Sequence, residues 1–233
     1  MSATVAAVEE IDLAGVGLRE LNSRLHELAT TGEPRHWRVR NPGGEHAIAA
    51  GLDADIEIDI DGHVGYYCAG MNKRATVRIH GMCGVGVAEN MMSGTVIVDG
   101  NASAAAGATG RGGLLVVRGD AAGRCGISMK GIDIVVGGSV GHMSAFMAQR
   151  GRLVVCGDAG DGLGDSLYEA RLYVRGEVAG LGADCVEKEM RPEHEAELGE
   201  LLARAGIGPL DGFRRFGSAR ALYNFHRDNA AAY

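Results

Sequence analysis

The stretch GMCGVGVAENMMSGTVIVDG, residues 81–100, opens and closes on glycines 19 positions apart, with Val96 and Val98 alternating just before Gly100. The same interval continues in both directions: Gly62, Gly81, Gly100, Gly119, Gly138, Gly157 and Gly176 follow one another without an insertion or deletion. A fixed period of this length marks a chain built of stacked repeats. Two places before these glycines come Ile60, Ile79, Val98, Val117, Val136, Val155 and Val174. Four places before come Ile58, Val77, Val96, Leu115, Ile134, Leu153 and Leu172. All fourteen are aliphatic. The alternating positions carry Glu57, Asp59, Arg78, Asp133, Arg152, Arg171 and Arg175 among others, which is the period of two of a strand with one buried and one wet face.

Three places after each glycine lie Gly65, Gly84, Ser103, Ala122, Gly141, Gly160 and Ala179, none larger than serine. A column that stays this small fits a bend where stacked backbones pack closely and a bulky side chain would strike the next coil. Strands recurring at so short an interval leave no room for a crossover helix, so a βαβ sheet is excluded. Stacked coils remain, each strand pairing in parallel with its equivalent about 4.8 Å away, in a rod on the order of 34 Å long. The expected fold is an all-β solenoid, a parallel β-helix of 19-residue coils with short helical caps at both ends.

Upstream, WRVRNPGG places Gly43 one period before Gly62, as if in a degenerate first coil. Open solenoid ends expose strand edges that need cover. Leu18, Leu21, Leu25 and Leu28 share one helical face ending near Thr30, Thr31 and Gly32, and Pro192 opens a second helix whose Leu198, Leu201, Leu202 and Ala205 face inward before Gly206. The expected division is 1–36 as an N-terminal helical cap, 37–190 as the β-helix, and 191–233 as a C-terminal helix and tail. That tail, FRRFGSARALYNFHRDNAAAY, gathers Phe213, Phe216, Tyr223, Phe225 and His226 among Arg214, Arg215, Arg220 and Arg227. Aromatics interleaved with arginine suit a protein interface, and they equally suit a tail packed along its own rod.

Composition narrows the function. Glycine makes up 38 of 233 residues, about twice the ordinary share of roughly 7%, yet with only four prolines and no three-residue period the chain is not collagen-like. A net charge of −7 argues against nucleic acid or anionic membrane as the main partner. No segment approaches the roughly 20 apolar residues of a bilayer span and the N-terminus lacks a signal-peptide pattern, so a cytoplasmic protein is expected. Cys68, Cys83, Cys125, Cys156 and Cys185 form no C-x-x-C pair, which speaks against a zinc or iron–sulfur site made by this chain alone and for buried thiols.

Motifs for chemistry are absent. No G-x-G-x-x-G stands between a strand and a helix, and no G-x-x-x-x-G-K-[ST] occurs. DADIEIDIDG has calcium-loop spacing, but Glu57, Asp59 and Asp61 fall on outward strand positions and read as a solvated acidic face. The eight histidines lack metal-ligand spacing; His63 and His142 are the most notable and read as hydrogen-bonding corner residues. There is no G-x-S-x-G, and the Met1-Ser2 start offers no N-terminal cysteine of the kind a class II glutaminase requires. No catalytic, cofactor-binding or metal-binding residue is assigned, and the chain alone is expected to make no bonds.

From about residue 51 to 185, coils such as GMCGVGVAENMMSGTVIVDG and GGLLVVRGDAAGRCGISMKG resemble the GXGXG domain of the glutamate synthase large chain. The same domain serves as the β-helix component of formylmethanofuran dehydrogenase. With a leucine helix before it and LYNFHRDN after it, the chain looks most like the free-standing β-helix subunit of three-subunit N-methylglutamate synthase (methylamine-glutamate N-methyltransferase). The resemblance implies a right-handed β-helix and a hetero-oligomer. A glutaminase-like (class II amidotransferase) subunit and an FMN-containing, glutamate synthase-like subunit with an iron–sulfur cluster would carry the chemistry, while this chain holds them in place. A component of formylmethanofuran dehydrogenase, a molybdenum or tungsten enzyme, or of another glutamate synthase-like amidotransferase complex, is the alternative. A left-handed acyltransferase helix would favour 18-residue coils, and a carbohydrate lyase would want a charged groove that the sequence does not identify.

Overall fold

In the computed structural model, which describes residues 8–31 and 36–221, the chain is a parallel β-solenoid. Its strands are β1 (Val8–Asp12), β2 (His36–Arg40), β3 (Glu57–Asp61), β4 (Thr76–Ile79), β5 (Thr95–Val98), β6 (Leu114–Val117), β7 (Lys130–Val136), β8 (Arg150–Val155), β9 (Arg171–Val174), β10 (Cys185–Lys188) and β11 (Arg214–Ser218). Its helices are α1 (Leu13–Val16), α2 (Leu18–Thr31) and α3 (Pro192–Arg204). One sheet runs through all the strands in the order β1-β2-β3-β4-β5-β6-β7-β8-β9-β11-β10. From β3 to β9 the core register advances by one glycine period per step, so that Val98 pairs with Val117 and Val117 with Val136. The fourteen aliphatic residues of the two inward columns are each 1% exposed or less and fill one continuous bore.

Past the strand, Val64, Cys83, Ala102, Ala121, Val140, Ala159 and Val178 form a second bridged column. The chain then turns through residues that take positive φ at every second position, as at Ala105 (+61°), Gly107 (+67°) and Thr109 (+55°). Such a conformation costs a non-glycine residue about 1–2 kcal/mol, which the stacking must offset.

The first coil departs from the expected period. Val39 pairs with Ile60 and Arg40 with Asp61, two positions more than the later coils use, and one step further Asn41 rather than Gly43 lies opposite Gly62. Asn41 holds φ +53°, a region that asparagine tolerates through its short polar side chain. The extra length hides the coil from a search at the common period.

At the N-terminal mouth, Leu21 and Leu25 of α2 are fully buried, and β1 adds a further parallel strand beside β2. The Asn22 amide donates to Ala47 O (2.9 Å) and accepts from Ala49 N–H (2.9 Å), while His26 Nε2 meets Ala50 O at 2.8 Å. These side chains thus replace partners that a preceding coil would have supplied. The Leu28 side chain and Gly32 lie outside the described residues.

At the other end, β11 runs antiparallel between β9 and β10 and closes the sheet. Helix α3 lies along the flank. Its Leu198, Leu201, Leu202 and Ala205 pack on Leu114, Val116, Val135, Val154 and Tyr173, all facing away from the bore. The expectation of a wet outer face is therefore corrected for part of β6–β9, where Leu114, Val116, Val135, Val154 and Tyr173 are apolar and covered by this helix, while Asp133, Arg152 and Arg171 beside them keep the expected charge.

Candidate docking faces and a charged cleft

Beside the glycine column, a polar ladder ties coil to coil. The residue after each of several closing glycines accepts the backbone N–H found 19 positions on: His63 Nδ1 from Met82 (2.9 Å), Asn101 Oδ1 from Asp120 (2.9 Å), Asp120 Oδ1 from Ser139 (2.8 Å), Ser139 Oγ from Asp158 (2.9 Å) and Asp158 Oδ1 from Glu177 (2.8 Å). His63 is thus the corner hydrogen-bonder its position suggests. The His142 ring lies over Gly123, its Cε1 2.7 Å from where a Cβ would stand there. Near the same corner Tyr66 stacks on His46 at 3.6 Å and, with Met82 and Val85, leaves a largely exposed apolar ridge.

The acidic outward strand is more structured than a solvated face. Asp59 lies between two imidazoles, with Oδ2 2.7 Å from His36 Nε2 and Oδ1 2.6 Å from His80 Nε2, and His80 Nδ1 lies 2.7 Å from Asp99 Oδ2. Burial alone would raise the Asp59 carboxyl, but the hydrogen bonds from His36 and His80 outweigh it and hold it below the ordinary carboxylate range. Burial opposes charge on His80 too, yet Asp59 and Asp99 prevail and raise its pKa. With a carboxylate on each ring nitrogen, His80 is best satisfied as an imidazolium donating both ways. Glu57 stays exposed and Asp61 pairs with Arg38 at 3.2 Å.

A cleft of about 550 Å³ opens between the outer ends of β7–β9 and α3. Its wall is an ion-pair ring. Arg152 binds Asp133 through two nitrogens (2.7 and 2.6 Å) and reaches Glu197 at 2.9 Å, while Arg171 donates to both Glu197 oxygens at 2.8 Å. Tyr173 Oη adds a 2.7 Å bond to the same carboxylate. Burial would raise the Glu197 carboxyl, but the Tyr173, Arg171 and Arg152 donors overcome it and keep it ionised. The hydrogen bond to Asp133 leads the effects that raise the Arg152 pKa. Gly131 and Gly151 leave bare backbone between these side chains; a Cβ on either would come within 2.5 Å of a carbonyl oxygen, Arg111 O or Ile132 O.

No family model matches the chain. It is 62% identical over 225 residues to Protein GlxC of Rhizobium meliloti strain 1021, an alignment covering 96% of this chain and 99% of that protein. The chain belongs to the GlxC family.

In this GlxC-family chain the aromatic residues of the C-terminal stretch divide. Phe216, expected as a partner contact, is 2% exposed and closes the end of the bore, because β11 turns it inward beside β9; it is unavailable to a partner. Phe213 packs, partly buried, on the cluster beneath α3. Tyr223, Phe225 and His226 lie outside the described residues. All five cysteines are buried free thiols, and burial pushes Cys83, Cys125 and Cys185 up to about 12. Among the described residues no three His, Cys, Asp or Glu side chains gather as a metal site, and no helix is long and apolar enough to cross a membrane. The His36–Asp59–His80 contact and the cleft escaped the sequence reading, although His80, Asp99 and Arg118 stand 19 apart in one column.

Proposed function

We propose that this GlxC-family chain is the non-catalytic scaffold and interface subunit of a glutamate synthase-like complex. We assign that complex to N-methylglutamate synthase, which converts methylamine and L-glutamate to N-methyl-L-glutamate and ammonia. The observation that carries the reading is the bore, filled along its length by aliphatic side chains in one parallel register. Such a body is stiff and presents long outer faces at fixed separations, which suits a spacer between sites that must keep a set distance and exclude water. With the bore filled, an ammonia or amine path between partner sites would run along the outer surface. The buried thiols do not fit an iron–sulfur cluster, so the cluster and FMN belong on the partner subunit of this proposal.

Reconstitution tests it. The purified chain is mixed with the glutaminase-like and FMN-containing subunits, and N-methylglutamate formation is followed with each subunit omitted in turn. The chain alone should be inactive, co-purify with both partners and raise their joint rate. Turnover by the isolated chain would refute the scaffold role, and molybdenum or tungsten in the co-purified complex would point to the formylmethanofuran dehydrogenase setting instead.

A further inference from the structure

A second groove, of about 380 Å³, lies between α3 and the loop 207–213. Glu195, Leu198, Gly199 and Leu202 stand at i, i+3, i+4 and i+7, so one face of α3 makes one wall and the loop makes the other. Met190, Leu210 and Phe213 complete an apolar lining. Gly199 is out of place by helix chemistry. It sits inside a helix of 13 residues, where glycine is less stable than alanine, and a Cβ there would meet nothing within 4 Å. Packing among the described residues therefore does not require it to be bare; a missing side chain does allow another backbone to come close. The rim is also unanswered. Glu195, Asp211 and Glu200, the last beside Gly199, are exposed and make no ion pair or side-chain hydrogen bond among the described residues, and no residue lining the groove is basic. The cations nearby are engaged elsewhere: Arg191 faces Glu189 and Glu193, and Arg175 donates to the Asp211 carbonyl oxygen, at 3.1 Å, rather than to its carboxylate.

Resting on the reading of the chain as an interface subunit, we propose that this groove docks a basic amphipathic helix of a partner subunit. Its leucine or phenylalanine side chains fill the apolar lining, its backbone passes over Gly199, and lysines or arginines at its edges meet Glu195, Glu200 and Asp211. Apolar anchors at helical spacing, seated in a groove, are a recurrent form of helix recognition. Charge sets the sign of the occupant. An acidic segment would be repelled by three unanswered carboxylates, whereas a basic one is steered in by them and by the net charge of −7. The same rim disfavours a second copy, because a two-fold contact through this groove would set acidic rim against acidic rim.

Surface plasmon resonance tests it, with the full-length chain against the purified glutaminase-like and FMN-containing subunits in turn. One of them should bind, with an on-rate that falls as salt rises. Gly199→Leu puts a side chain into the groove from a position where its Cβ stands in open space. It should weaken that subunit by roughly tenfold or more, while the unbound chain melts at or above the wild-type temperature because leucine is the better helix former. A glycine with only a structural role would give no loss of binding. Glu195→Lys combined with Asp211→Lys should slow association and flatten its salt dependence with the melting temperature unchanged. Binding indifferent to both variants would overturn the groove and leave the scaffold reading standing, whereas a wild-type chain that binds neither subunit would overturn both. Two further results would overturn the partner helix by naming another occupant. Self-association of the wild type that Gly199→Leu abolishes would make it a second copy. A fall in melting temperature in Gly199→Leu, matched by Tyr223→Ser combined with Phe225→Ser, would make it the chain's own C-terminal stretch.

Discussion

Replacing Gly81 by alanine adds one methyl group where two coils touch backbone to backbone. Its Cβ would stand 2.5 Å from Gly62 O, 2.6 Å from Gly62 C and 2.9 Å from His63 N, and ordinary contact begins at 3.4 Å. The coils would have to part by about 0.9 Å, the difference between 3.4 and 2.5 Å. The bonds alongside, His80 N–H to Ile60 O (2.9 Å), Val64 N–H to Met82 O (3.0 Å) and Gly84 N–H to Val64 O (3.0 Å), would then stretch past hydrogen-bond length. Three such bonds at about 0.5–1.5 kcal/mol each bound the loss from relaxing, while holding the coils fixed costs roughly 1–3 kcal/mol in overpacking. The expected destabilisation is about 2–3 kcal/mol, or roughly 4–12 °C in melting temperature for a chain of this size. Gly199→Ala is the control. It lies within α3 with nothing within 4 Å of the added Cβ, so it should stabilise by about 0.5–1 kcal/mol. Urea melts followed by circular dichroism measure both, and amide exchange should show protection lost chiefly in the coils flanking Gly81, because a repeat contacts only its neighbours. If Gly81→Ala melts with the wild type, close backbone stacking is not what keeps this column small.

Three other outcomes are expected. Glu197→Gln removes the carboxylate shared by Arg152, Arg171 and Tyr173 and should cost about 2–4 kcal/mol, read as faster proteolysis and amide exchange in α3; unchanged protection there would show that the leucines alone hold the helix. The Asp59–His80 pair makes stability depend on pH in two directions. The raised His80 pKa gives a contribution complete below about pH 6.5 and lost as pH rises through the raised value, while the lowered Asp59 pKa gives one present above about pH 3.9 and lost as pH falls through the lowered value. Wild type should therefore lose about 1 kcal/mol relative to His80→Gln between pH 6.5 and alkaline pH, a figure kept small because the His80 side chain is 33% exposed; parallel profiles would remove the pair from the account. The five thiols should react with a chromogenic disulfide at pH 8 only after urea unfolds the chain, and immediate labelling of the native protein would contradict their burial.

The sequence carried the middle of the rod because stacking imposes the same demand at every coil. A strand residue facing the bore must be aliphatic seven times over, and a corner pressed against its neighbour must stay small seven times over. Where a demand arises once, no column records it. The longer first coil has no second copy to align with, and β11 enters antiparallel through the short segment Arg214–Ser218, too brief for a pattern. The Asn22 and His26 caps satisfy only the first coil. The one-residue slip between Lys130–Arg150 and Asp133–Arg152, at the edge of the cleft, leaves the glycine spacing untouched and so stayed hidden.

The outward column shows how a repeat can also locate its own exception. Asp59 and Arg78 begin it in charge, and Ile97, Val116, Val135, Val154 and Tyr173 continue it as apolar or aromatic residues. An outer face turning apolar partway along the rod requires cover, and the amphipathic α3, with leucines on one side, is the chain's own candidate for it. The column beside it, Asp133, Arg152 and Arg171, is then bound to carry charges that the same helix can answer, which it does through Glu197. The cleft follows from that arrangement: α3 covers the apolar column, the charged column forms its edge, and the glycines at 131 and 151 leave the space between them unfilled.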